Sequence, residues 1–396
     1  MKMLVIIHGN IRTMEDKDYE DGYLQIDHGK IVSIGDMNEC NVHALKADDH
    51  VQVLDAKGNT VLPGIIEAHC HMGITEEKKG MEGDDCNETV NPVTPYLRAI
   101  EAINPMDDAF HDALKAGITS AMIGPGSSNV VGGQFAFLKT HGRCIDQMIV
   151  KAPAAMKVAF GENPKVNYSG QNTSPATRMA IASMLREELT KAREYQRHIY
   201  ENPDTTPDFH YECWLPVLDG EIPLKAHVHR ADDILTAVRI AEEFGLKMTL
   251  DHCSEGHLII EELRAAGFPA IVGPDMASRN KIEVSNMAFK TAGELSKNGI
   301  LTAITTDHPV SKIQFLPICA GLAVKEGMAM EEGLRAITIN AAKICGVDDR
   351  VGSLAPGKDG DVVIYDGNPM EVFTKTLCTI IEGKIVYYDE ECGLLC

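Results

Sequence analysis

Apolar and polar positions along this chain fall into three zones. In the first, about residues 1–60, short apolar runs (3–8, 23–27, 31–34 and 51–54) are split by turn residues, with His28-Gly29-Lys30 between the second and third. Apolar runs flanking a glycine turn predict a β-hairpin. From about Ser353 the same texture returns, with runs at 361–365, 379–381 and 385–387 and a turn at Gly383-Lys384. Two strand-rich ends of one style predict a small β-sandwich domain assembled from residues 1–60 and 350–396.

Between them the period changes. Residues 232–244 place Ile234, Ala237, Val238 and Ala241 on one helical face before Gly245, and 247–250 is a short apolar strand. A helix over 256–266 closes at Gly267 before a strand at 270–272, and a helix over 288–297 precedes Gly299 and a strand at 301–305. Strands alternating with helices predict βαβ units. The α/β reading that accommodates residues 61–349 is a (β/α)8 TIM-type barrel. A doubly wound sheet is the alternative, but the chain has neither a Rossmann fingerprint nor a P-loop.

Composition mainly excludes. A net charge of −21 argues against a nucleic-acid partner and against an anionic membrane surface. The 11 cysteines are scattered without a Cys-x-x-Cys pair, which fits a reducing, cytoplasmic setting better than a disulfide framework. The first ten residues lack a signal-peptide pattern, and no apolar stretch reaches the ~18–20 residues of a membrane span.

The chemistry sits at strand ends. The apolar run from Val61 ends in His69-Cys70-His71, and alternation along a strand puts both imidazoles on one face. A lone His-x-His is as readily structural as metal-binding. A second run, 222–226, leads into His227-Val228-His229; His252 ends the next strand, one strand–helix unit on, and Asp307 ends the run from Leu301. C-terminal strand ends of a barrel converge on one mouth, so these groups together predict a divalent-cation site.

In this order, His-x-His, His, His, Asp, between strand-rich termini, the chain resembles the amidohydrolase superfamily. The motifs Leu62-Pro-Gly-Ile-Ile-Glu-Ala-His69 and Leu354-Ala-Pro-Gly-Lys-Asp-Gly-Asp361 carry the resemblance, and Gly124–Gln134 is similar to a branch related to imidazolonepropionases. The resemblance implies His69 and His71 from the first strand, His227 from the fifth, His252 from the sixth and Asp307 from the eighth as metal ligands. It also implies a bridging group after the fourth strand, for which Glu162 is preferred, with Lys157, carbamylated, as rival and Lys151 more distant. The implied cofactor is a divalent metal, zinc first among candidates, as one ion or two. The implied activity is hydrolysis of a C–N bond other than a peptide bond in a small-molecule amide, cyclic amide or dipeptide.

Asp307 is expected to move the proton between water and leaving nitrogen. His229 is either a catalytic contact or a hydrogen-bonding support. Gln134, Arg178 and Arg230 are the candidate substrate-binding residues, the arginines weighed against ordinary surface positions. The insertion 73–105, with acidic residues at 82–85, is a lid, an oligomer contact or a solvated loop. A mononuclear deaminase of the superfamily lacks its usual glutamate here, since Val-His-Arg follows His227. A scaffold that had lost its chemistry should have lost ligands. A homo-oligomer is expected on general grounds.

Overall fold

The computed structural model describes residues 2–78 and 80–395. The chain opens with β1 (Met3–Ile11), β2 (Tyr19–Asp27), β3 (Lys30–Asp36), β4 (Val51–Asp55) and β5 (Thr60–Pro63). The hairpin between β2 and β3 turns on His28 and Gly29, both at positive φ (47° and 81°), the two-residue geometry whose twist matches paired strands. Eight barrel strands follow: β6 (Ile65–Cys70), β7 (Ile118–Ile123), β8 (Val131–Lys139), β9 (Ile149–Ala159), β10 (Leu224–Val228), β11 (Met248–His252), β12 (Ala270–Val272) and β13 (Thr302–Ile304). The last strands are β14 (Val362–Tyr365), β15 (Thr376–Ile381) and β16 (Lys384–Tyr388).

Both termini enter one branched sheet, in the order β16-β15-β14-β5-β1-β2-β3 with β4 beside β1. The join is the antiparallel pairing of β14 with β5, where Val363 faces Leu62. A separate apolar cluster including Leu4, Ile6, Leu24, Val61 and Ile364 fills this sheet's core.

The barrel sheet runs from β6 to β13 in chain order. Its neighbours are parallel except around β8, which is antiparallel to both β7 and β9. This departs from an all-parallel barrel, and the connections explain it. Only residues 124–130 lie between β7 and β8, too few for the crossover of a dozen or more residues that a parallel return needs. The seam between β13 and β6 is closed by side chains. Thr305 Oγ1 donates to the His69 carbonyl at 2.6 Å, and the Thr306 N–H and hydroxyl both donate to Glu67 Oε2 at 2.9 and 2.6 Å.

Helices form where the apolar stripe predicts them. Ala231–Phe244 buries Ile234, Ala237, Val238 and Ala241, and Gly245 stops it at φ 62°. The expected 256–266 helix is broken into a 3-10 turn, Gly256–Leu258, and Ile260–Ala266, because Ile259 leaves the helical region (φ −135°, ψ 40°).

A buried ion cluster ties the barrel floor to the terminal sheet. Lys139, at the end of β8, donates to Asp359 at 2.8 Å and Asp361 at 2.6 Å; Lys30 and Arg350 also reach Asp359, at 2.6 and 2.9 Å. Among the described residues no helix is long and apolar enough to cross a membrane.

Candidate metal centre

Strand alternation aims the polar residues. On β10, Leu224, Ala226 and Val228 join the apolar cluster outside the barrel, so Lys225 and His227 face inward, with His229 continuing that face. On β9 the same rule sends Met156 and Val158 outward and Lys157 inward. At the end of β11 alternation fails, since Asp251 and His252 both serve the interior. His252 (φ 71°) and Cys253 (φ 48°) are left-handed, as is Asp307 (φ 50°). Such backbone is costly for residues with a Cβ and persists where the surroundings over-determine it, a pattern concentrated at functional sites.

Two clusters result. Ligand atoms of His69, His71 and Asp307 lie within 4.8 Å of one another, as do those of His227, His229 and His252. The clusters adjoin, with the His69 and His252 ring centroids 5.1 Å apart. All six side chains are buried.

The ring tautomers follow from the partners. His71 Nδ1 is 2.7 Å from the Gly124 carbonyl and His252 Nδ1 is 2.8 Å from the Gly273 carbonyl. A carbonyl only accepts, so both rings carry a proton on Nδ1, and each in its neutral form exposes a lone pair on Nε2. His69 Nδ1 faces the Asp251 carboxylate at 2.9 Å, with the same consequence. His69 Nε2 and His71 Nε2 then sit 3.4 and 3.2 Å from Asp307 Oδ1, an oxygen that has no hydrogen-bond partner. Lone pairs facing a buried carboxylate repel unless a cation lies between them. The donor set therefore fits a divalent metal, with outward Nδ1–H groups anchored as metal-binding imidazoles require.

Asp251 is the support that strand spacing did not single out. Its carboxylate faces His69, accepts from the Thr249 hydroxyl at 2.8 Å and lies 3.3 Å from Lys225 Nζ. Burial opposes its ionisation, but Lys225 and His69 hold it well below the usual carboxylate range. The Asp-His pair at 251–252 and the Lys-x-His of 225–227 were the available signals. Phe135 seals the floor, its ring 5.3 Å from that of His69 and 5.6 and 5.4 Å from the Lys157 and Lys225 ammonium nitrogens.

The fourth-strand position corrects the preference for Glu162. That residue begins the helix Glu162–Ser169, is only partly buried, and belongs to neither cluster; its backbone N–H donates to Glu283 Oε2 at 2.8 Å. Lys157 is fully buried, with Nζ 3.4 Å from His69 Nε2, and burial pushes its pKa down to about 8. The apolar run before Glu162 misled because the barrel strand ends at Ala159, before that residue. Lys151 lies lower on β9 and lines a different cavity.

A cavity of about 520 Å³ opens over the clusters, walled by His71, His227, His229 and Asp307 with Gly126, Ser127, Asn163 and Lys281. Thr75, Asp84, Cys86 and Asn87 bring the 73–105 insertion to its wall. The three candidate substrate residues do not line it. Gln134 Nε2 donates to the Pro95 carbonyl, Arg178 pairs with Asp233 at 2.9 Å, and Arg230 pairs with Asp232 at 2.9 Å. Arg230 is captured by an aspartate two residues on, whereas Arg178 is captured by one 55 residues away on another helix, which motif spacing cannot reveal.

Comparisons with known proteins agree with this geometry. A solved amidohydrolase from Thermotoga maritima MSB8 superposes with TM-score 0.92 at 36% identity, covering 98% of this chain and 100% of that one. Among curated relatives, Amidohydrolase tasK of Hapsidospora irregularis is 28% identical over 85% of this chain, which spans only 37% of that relative's length. An imidazolonepropionase of Alkaliphilus metalliredigens is 24% identical over 88% of this chain and 84% of its own length. The family model named Amidohydrolase family matches residues 60–386, and the chain belongs to that family.

Proposed function

We propose that this protein is a metal-dependent hydrolase of a C–N bond in a small-molecule amide, cyclic amide or dipeptide. The observation that carries the reading is the convergence of His69 Nε2 and His71 Nε2 on the unpartnered Asp307 Oδ1, with His71 Nδ1 on the Gly124 carbonyl and His69 Nδ1 2.9 Å from the Asp251 carboxylate. His69, His71 and Asp307 would hold one divalent cation, zinc being the first choice for imidazole and carboxylate donors. His227 and His252 would hold a second, and Lys157, as its carbamate, would supply an anionic donor beside His69. The neutral amine attacks CO2, the new N–C bond forms, and the released proton leaves to solvent. When bound, such cations polarise a carbonyl and bring the pKa of water to about 7.

Asp307 accepts the proton of the attacking water at Oδ2 and returns it to the leaving nitrogen. A carboxylate beside a divalent cation resists protonation, so it starts as a base. His229, fixed by Ser254 Oγ 2.8 Å from its Nδ1, presents Nε2 towards the second cluster. The division into residues 1–60 with 350–396 and 61–349 assigns this chemistry to the barrel alone. Elemental analysis of purified protein, with turnover of a panel of N-acyl amino acids, cyclic amides and dipeptides, tests the reading. Metal-free protein that gains no hydrolytic activity on adding Zn²⁺ or Mn²⁺ would sink it.

A further inference from the structure

Glu283 lies outside every motif and every expected ligand position. It sits in the 3-10 turn Ile282–Val284 after β12, is 1% exposed, and reaches the second cluster through its side chain. Its Oε2 is occupied by the Glu162 N–H at 2.8 Å. Its Oε1 has no hydrogen-bond partner, yet lies 3.8 Å from His227 Nε2 and 3.9 Å from His229 Nε2. A buried carboxylate oxygen left unpaired is destabilising, so its position needs a reason. Lys281 Nζ, 3.9 Å away and 37% exposed, is too distant to satisfy it.

From these distances we infer that Glu283 and His229 are ligands of the second cation, completing a set of His227, His229, His252 and Glu283. Imidazole and carboxylate donors bind Zn²⁺ at about 2.0–2.2 Å, which in a tetrahedral set puts neighbouring donor atoms about 3.4 Å apart. The observed 3.8 and 3.9 Å need contraction by only a few tenths of an ångström. Gly161 makes room for Glu283, since a Cβ there would stand 2.8 Å from its Oε2.

The inference rests on the metal-dependent reading above, and one experiment separates the two. Protein loaded with Co²⁺ is assayed for ions per chain, for affinity by chelator competition, and for its d–d absorption, in wild type, Glu283→Gln, His229→Gln and His71→Gln. Glutamine at 283 still accepts the Glu162 N–H, so circular dichroism and melting should match wild type. Expected is a wild type with two ions, and a Glu283→Gln and a His229→Gln that each keep one at native affinity while the other weakens at least tenfold with an altered spectrum. Two ions at native affinity and spectrum in both variants overturn the inference while leaving the hydrolase reading intact. So does a wild type with a single ion that is lost in His71→Gln and kept in Glu283→Gln. A wild type that binds no ion overturns both. If Glu283→Gln does not fold, anomalous scattering from Co²⁺-loaded wild-type crystals decides, by whether an ion lies within about 2.2 Å of Glu283 Oε1.

Discussion

Replacing Asp251 with asparagine separates the orientation of a ligand from the ligand itself. Asparagine keeps the size and one acceptor oxygen but removes the charge that faces His69 Nδ1 at 2.9 Å and Lys225 at 3.3 Å. Two costs follow. His69 loses its anionic anchor, and loss of such a support lowers metal affinity about 10–100-fold, or about 1.4–2.7 kcal/mol. Lys225, 2% exposed at its side chain, keeps neutral acceptors, the Ala68 carbonyl at 3.2 Å and the amide oxygen at 251, but loses its counter-charge, and a buried pair broken on one side costs about 3–5 kcal/mol of stability. Adding Lys225→Met should restore most of the stability while leaving the affinity low, because only the first variant touches His69. Chelator competition reads the affinity and urea denaturation the stability. A folded Asp251→Asn that binds Zn²⁺ within twofold of wild type would refute the reasoning.

Asp307→Asn should retain the fold and most bound metal yet lose at least a hundredfold in kcat, read by steady-state turnover and elemental analysis in parallel. Wild-type protein equilibrated with ¹³C-bicarbonate should give a carbamate resonance by NMR that Lys157→Met lacks; an unchanged signal in the variant would place the adduct elsewhere. Lys139→Met should cost about 3–5 kcal/mol in urea denaturation at pH 7, since it leaves Asp359 and Asp361 buried without the ammonium. The pH dependence has a definite sign. Burial raises Asp361 even beside Lys139, and without that lysine it rises further, so the folded variant binds a proton more tightly than the unfolded chain and its deficit narrows as pH falls from 7 towards about 5. Asp359 acts the other way in wild type. Burial opposes its ionisation, but Lys139 foremost, with Lys30 and Arg350, lowers it, giving stability present above about pH 4 and lost below it. A deficit constant across that range would contradict this account.

The chain's own order of residues determined a good deal. Apolar runs ending in His69, His227 and His252 marked strand ends, and alternation aimed the first two side chains, because it is a local property of extended backbone. The hairpin at His28-Gly29 was legible for the same reason, its turn residues being those that accept positive φ. Asp307 was placed at its strand end, although its left-handed φ was not foreseeable. What only the tertiary structure decided depends on elements that meet across the barrel. Lys157 rather than Glu162 reaches His69 because β9 ends before residue 162, a boundary no local pattern announces. Arg178 was drawn off by Asp233 on another helix, and Glu283 arrived from a loop without any repeating spacing. Local patterns fix which way a side chain points along its own strand; which partners it finds is set by the packing of segments distant in the chain.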